Sequence, residues 1–211
     1  MQYIDFISDT QFCSDCNRRL KSKTGIFSNG SWLGEICAAK RGIYKRELPD
    51  LTKAIIIENE NTKTSSTKNN YSHHVYKQEN NKQKCLSYLI LRMEKLSDVK
   101  YMKHQSLFEL YEKYKSNNLS DGDYLHIENI INSVKNSNPI VSEENVYFCH
   151  AVKYALLNLI RKSPNNDFYK SILSYLQRNG TISKKQFERI NNKGIKIRYF
   201  SPPENINKEF S

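Results

Sequence analysis

The sequence predicts a mainly α-helical protein: a small N-terminal zinc-finger-like module followed by a helical domain of two tandem three-helix repeats. Three observations predict it. From Lys84 to about Ile195 the apolar residues recur at helical spacing, with no period-two run long enough for a sheet. Three of the five cysteines, Cys13, Cys16 and Cys37, crowd into the first 37 residues. Between these zones the chain is rich in Asn, Lys, Ser and Thr and almost without aliphatic residues, which is linker chemistry. The expected organisation is therefore a basic module at 1–55, a flexible polar linker at 56–82, a helical domain at 83–195, and a basic and aromatic tail at 196–211.

Within the module, Cys13-Ser-Asp-Cys16 is a C-x₂-C step, and Cys37 follows twenty-one positions after Cys16. Two cysteines in one tight turn can present both sulfurs to a single tetrahedral ion, and zinc prefers thiolates. The fourth ligand is open. Lys40 stands where a ligand on the helix of Cys37 would fall, and the candidates elsewhere are His73, His74 and Cys85, the pair Cys149-His150, or water. An odd cysteine count with this clustering fits metal ligation in a reducing compartment better than a disulfide framework.

The segment Cys13-Ser-Asp-Cys16-Asn-Arg-Arg-Leu20, with Trp32-Leu-Gly-Glu-Ile-Cys37-Ala-Ala-Lys40 after it, resembles a family of short zinc-finger-like domains of phage and mobile-element proteins. The family pattern is Cys-x-x-Cys-Gly-Arg-x-Leu, a variable spacer, then Gly-x-Gly-x-x-Cys-Ala-x-Lys. The likeness is confined to residues 13–42. Asn17 stands where the family has Gly, although Asn also tolerates the left-handed backbone a knuckle needs; Trp32 replaces the first Gly of the second half. The resemblance implies a zinc-stabilised mini-fold in a protein of phage or mobile-element origin, and no particular activity.

The helical zone reads as two units, about 84–136 and 150–195. Tyr88, Leu89, Leu91 and Met93 match Tyr154, Ala155, Leu157 and Leu159; Leu107, Leu110, Tyr111 and Tyr114 match Tyr169, Ile172, Leu173 and Leu176. The third helices both open on a capping-box pattern, Ser120…Asp123 and Ser183…Gln186, with Leu119 or Ile182 just before the cap. These apolar stripes are core positions.

Thirty-three Lys+Arg against 22 Asp+Glu give a net charge of +11, which attracts polyanions. Nucleic acid, DNA or RNA, is the expected partner, bound mainly through its backbone. One candidate patch is Arg18, Arg19, Lys21, Lys40, Arg41, Lys45 and Arg46 around the cysteines, with Trp32 and Phe27 as rings for stacking on bases or for covering a small core. A second is Lys184, Lys185 and Arg189 on the last helix, continuing through Lys193, Lys196, Arg198, Tyr199 and Phe200. The alternative partner is a host nucleoprotein complex, for which the chain would be an inhibitor or adaptor of the anti-CRISPR type. No phosphate-binding loop, H-E-x-x-H or G-x-S-x-G motif is present, so no enzymatic chemistry is indicated. No apolar run approaches a membrane span, and Met-Gln-Tyr-Ile-Asp-Phe has no signal-peptide character; a cytoplasmic protein is expected.

Overall fold

The structure, a computed structural model, describes residues 1–53, 72–191, 197 and 200, with the backbone alone for 72–80. It is mainly helical, with a three-stranded antiparallel sheet at the N-terminal end: β1 (Gln2–Phe6), β2 (Thr24–Ser28) and β3 (Ser31–Leu33), in that order. Ile4 stands opposite Ile26 and Phe27 opposite Trp32. The sheet was not expected from the sequence. Its clearest signal is Asn29-Gly30, a two-residue hairpin loop in which both residues have positive φ, 47° and 84°, as a type I′ turn requires.

β1 is buried on both sides, and this explains why its residues do not alternate in polarity. Ile4 enters a small core with Cys13, Ile26, Leu33, Ala38 and Leu48. Tyr3 and Asp5, on the opposite face, turn toward the helices. The outer edge of β1 is covered by the segment after Leu48: the Ile4 N–H donates to the Pro49 carbonyl at 2.9 Å, and the Leu51 N–H donates to the Ile4 carbonyl at 3.0 Å.

Seven helices lie among the described residues: α1 (Glu35–Lys40), α2 (Ser72–Ile90), α3 (Gln105–Lys115), α4 (Asp121–Ser137), α5 (Glu143–Lys162), α6 (Asp167–Asn179) and α7 (Lys184–Asn191). Helix α2 begins at Ser72, so residues 72–82, read from sequence as linker, are helical. Lys, Gln and Glu propagate a helix without any apolar period, and composition alone does not separate such a helix from a linker. The rest of the expected linker, residues 56–71, lies outside the described residues, as do the last two residues of the expected module, 54–55.

α2 runs on through a wider turn, Leu91–Lys95, closed by the Leu96 N–H on the Leu91 carbonyl. That turn buries Arg92, whose guanidinium donates to the Met102 carbonyl at 2.8 Å, the Tyr88 hydroxyl at 2.9 Å and the Tyr101 carbonyl at 3.3 Å. Oxygen acceptors satisfy this cation within the core and pin the 96–104 loop onto α2.

α5 is the central helix, with Val146, Phe148, Cys149, Ala151, Val152 and Leu156 all inaccessible. The capping boxes form as expected: Ser120 Oγ accepts from the Asp123 N–H while Asp123 accepts from the Ser120 N–H, and Ser183 and Gln186 repeat the exchange. Helix α6 ends on Gly180 at φ 64°, where a Cβ would stand 2.7 Å from Ile140 Cγ2, so only glycine fits.

The helical core takes in Tyr3, Phe6 and Leu51 from the N-terminal region, which is therefore packed onto the helices. A buried polar network crosses the junction. Asp5 Oδ1 lies 2.7 Å from His150 Nε2 and its Oδ2 lies 3.1 Å from Lys95 Nζ; Lys95 also meets Glu94 at 3.0 Å, and Glu94 accepts from the hydroxyls of Tyr3 (2.9 Å) and Tyr111 (2.8 Å). No described helix is long and apolar enough to cross a membrane.

Candidate metal centre

The cysteine turn is held as a narrow hairpin. The Cys13 N–H donates to the Arg18 carbonyl and the Asn17 N–H to the Cys13 carbonyl, each at 2.9 Å, while the Leu20 N–H donates to the Gln11 carbonyl at 2.8 Å. Asn17 has φ 52°, the left-handed conformation that the turn demands and that Asn tolerates. The Ser14 N–H, donating to the Trp32 carbonyl at 2.9 Å, ties this hairpin to β3. Helix α1 follows β3 at once, so Cys37, in its first turn, is carried back over the hairpin.

The three sulfurs lie within 4.8 Å of one another, with Cys13 buried, Cys37 half-buried and Cys16 exposed. A zinc–thiolate bond of about 2.3 Å puts the corners of a tetrahedral site roughly 3.8 Å apart, so the cysteines fit three corners of one ion. Burial pushes the Cys13 thiol up, but the backbone N–H groups of Gly34, Cys16 and Asp15 turned toward its sulfur more than offset this and bring it down to about 7. Hydrogen bonding from Cys37 to Cys16 and Cys13 pushes the Cys37 thiol up to about 11, as crowded sulfurs resist a second negative charge. A divalent cation relieves that crowding.

The other candidate ligands are placed elsewhere. Cys85 sits in the helical core, its thiol pointing to the Tyr124 carbonyl at 3.7 Å, and burial pushes it up to about 11. Cys149 donates to the Gly180 carbonyl at 3.0 Å and His150 faces Asp5, so neither reaches the cluster. The side chains of His73 and His74 lie outside the described residues. Among the described residues the cysteine cluster contains no fourth protein ligand.

The predicted cations divide in two. Arg41 pairs with both oxygens of Asp15, and Arg19 Nε donates to the Asp9 carbonyl at 2.6 Å; these two brace the hairpin. Arg18, Lys21, Lys40 and Lys45 are exposed, as is Arg46, which lies 5.7 Å over the Tyr44 ring. On α7, Lys184, Lys185 and Arg189 are exposed, with Arg189 5.3 Å over Phe168; Lys193, Lys196, Arg198 and Tyr199 lie outside the described residues, and Phe200 packs against the helical core.

Trp32 and Phe27 are not presented as a stacking platform. Phe27 stacks on Tyr3 at 4.9 Å, Trp32 meets Phe27 edge-on at 5.3 Å, and Lys95 lies above Phe27 and Tyr3. Phe27 joins the sheet to the helices, and Trp32 packs on it. The apolar groups left to solvent near the cysteines are others: Phe12 (48% exposed), Ile36 (75%) and Tyr44 (47%). Phe12 and Ile36 directly precede Cys13 and Cys37, and Tyr44 opens the run Tyr44-Lys-Arg46, the sequence signal by which it could have been found. Comparison with known proteins finds no matching family model, no matching curated protein and no matching solved structure.

Proposed function

We propose that this chain is a zinc-binding, non-enzymatic protein of a phage or mobile element that contacts the backbone of DNA or RNA through cations ordered around its cysteine centre. In this reading residues 1–55 are a zinc-finger-like module, and the two sets of three helices are tandem repeats that carry it. The observation that supports it most is the placement of three sulfurs, two from the hairpin and one from α1, within 4.8 Å of one another, with Arg18, Lys21, Lys40 and Lys45 on the same elements or just after them exposed. A metal there fixes the relative positions of β3, α1 and the hairpin, and with them the spacing of those charges. Phosphate contacts by such groups carry no base information.

The test is titration of a labelled oligonucleotide across a range of salt. Affinity is expected to fall linearly on a log–log plot, and neutralising Arg18, Lys21, Lys40 and Lys45 together should flatten the slope by about 3. Binding that is absent at low salt, or a slope unchanged in the variant, overturns the proposal. A second reading is that of an adaptor or inhibitor acting on a host nucleoprotein complex. It is favoured by Ile36 and Phe12, apolar side chains exposed beside the cysteines. It predicts co-purification with a protein complex that Ile36→Asp abolishes, and no affinity for free nucleic acid.

A further inference from the structure

An open cleft of about 700 Å³ lies between the N-terminal region and α2, lined in part by Glu35, Tyr44, Lys45, Arg46, Lys53 and Gln83. A second, smaller cleft of about 100 Å³ shares Glu35 and Lys45 with it and carries on toward β2. The wall is prebuilt. Gln83 of α2 donates to the Arg46 carbonyl at 2.8 Å, which fixes the Lys45–Glu47 turn against the helix and holds Tyr44 at the mouth. Tyr44 is 47% exposed, with a guanidinium on one face of its ring.

We infer that this cleft takes one unpaired base of a single-stranded nucleic acid, stacked on Tyr44, with the flanking phosphates on Lys45, Arg46 and Lys53. The inference rests on the nucleic-acid reading above and narrows it to single strands. Two features select a base over a phosphate for the interior. The cleft contains the carboxylates of Glu35 and Asp50, which repel a phosphodiester, while a base is neutral. Asp50 is already committed, accepting from the Thr52 N–H at 2.9 Å and the Thr52 hydroxyl at 2.6 Å. Glu35 is left as an acceptor for a base amino group, and a base can stack on Tyr44 only where its own faces are not already covered by duplex neighbours. The volume lies within the usual range for small-ligand sites. Three cations lining a cleft with an aromatic ring, Lys53 among them with its ammonium 5.7 Å over Tyr147, are the elements of sequence-tolerant single-strand binding: charge follows the backbone and the ring accepts any base.

The experiment measures the full-length protein against a short labelled single strand of mixed sequence and against the same strand annealed to its complement. The single strand is expected to bind at least about tenfold more tightly, and Tyr44→Leu to remove that margin while leaving duplex affinity unchanged. Tyr44→Phe keeps the ring and should keep the margin. Since Tyr44 is exposed, both variants should melt as the wild type does, and the melt is recorded alongside. Equal affinity for the two forms, or an unaffected Tyr44→Leu protein, overturns the single-strand inference and leaves backbone binding standing. Failure of the wild type to bind either form overturns the nucleic-acid reading itself.

Discussion

Cys13 lies inside the small core and Cys16 outside it, so two ligands of one proposed site are expected to respond differently to the same substitution. Cys16→Ser removes a ligand and nothing else, and its melting temperature should equal that of the wild type treated with a chelator. Cys13→Ser also trades a buried sulfur packed among Ile4, Leu33 and Ala38 for a smaller hydroxyl, and should melt lower still, with a further loss of stability of ~1 kcal/mol. Thermal melts of the three samples check this. Identical melts for the two variants would contradict the separation of ligand and core roles. The cysteine cluster and left-handed Asn17 were legible because both depend on local spacing and backbone tolerance. The cations were legible only as a set. Composition distinguishes neither Arg41, tied to Asp15, from Lys40, exposed to solvent, nor Trp32, packed on Phe27, from an open stacking ring. Those distinctions come from partners far away in the sequence.

Strand β1 shows why some elements escape a periodic reading. Helices α3 to α7 are amphipathic, α4 and α7 carry capping boxes written in the sequence, and all five were legible. β1 is five residues buried on both faces, so its pattern does not alternate, and the polar residue within it, Asp5, is inside the junction. Burial raises the Asp5 carboxyl, but the charge and hydrogen bond of His150, the Lys95 ammonium and the Phe6 N–H more than reverse this and hold it below the ordinary 3.8. Lys95 is shifted the other way, upward, by Asp5, Tyr3 and Glu94 against its own burial. A carboxyl lowered in the folded state releases its proton more readily there than in the unfolded chain. Its contribution is thus complete above the unfolded value and declines as the pH falls through 3.8 and below. Asp5→Asn is expected to destabilise by about 1–3 kcal/mol at neutral pH, since it leaves the half-buried Lys95 ammonium with Glu94 alone and costs His150 its carboxylate partner, and to flatten the acid limb of a stability–pH curve. Chemical denaturation from pH 3 to pH 7 measures both effects. A variant as stable as the wild type with the same acid limb would show that Asp5 does not tie the sheet to α5.

At the scale of the whole molecule, the region of the cysteine cluster and a helical region meet in one continuous core, through Tyr3, Phe6 and Leu51. Reading them as separate bodies followed naturally from the polar stretch between them. What joins them is tertiary: three apolar residues scattered over the first 51 positions and a four-residue charge network, none of it periodic. The junction also shapes the cleft beside Tyr44, which is walled on one side by the Tyr44–Lys53 segment and on the other by α2, so the site's geometry depends on both regions together. Under the proposed function, the long-range attraction of a polyanion belongs to the whole chain, with its charge of +11, and the choice of what is contacted belongs to the surface around the cysteines. The proposed ordering of that surface depends on an ion at Cys13, Cys16 and Cys37. Native mass spectrometry of the purified full-length protein and of Cys16→Ser tests it most directly. One zinc per wild-type chain, lost from the variant, is the predicted result; a wild-type protein that is folded and carries no metal would contradict it.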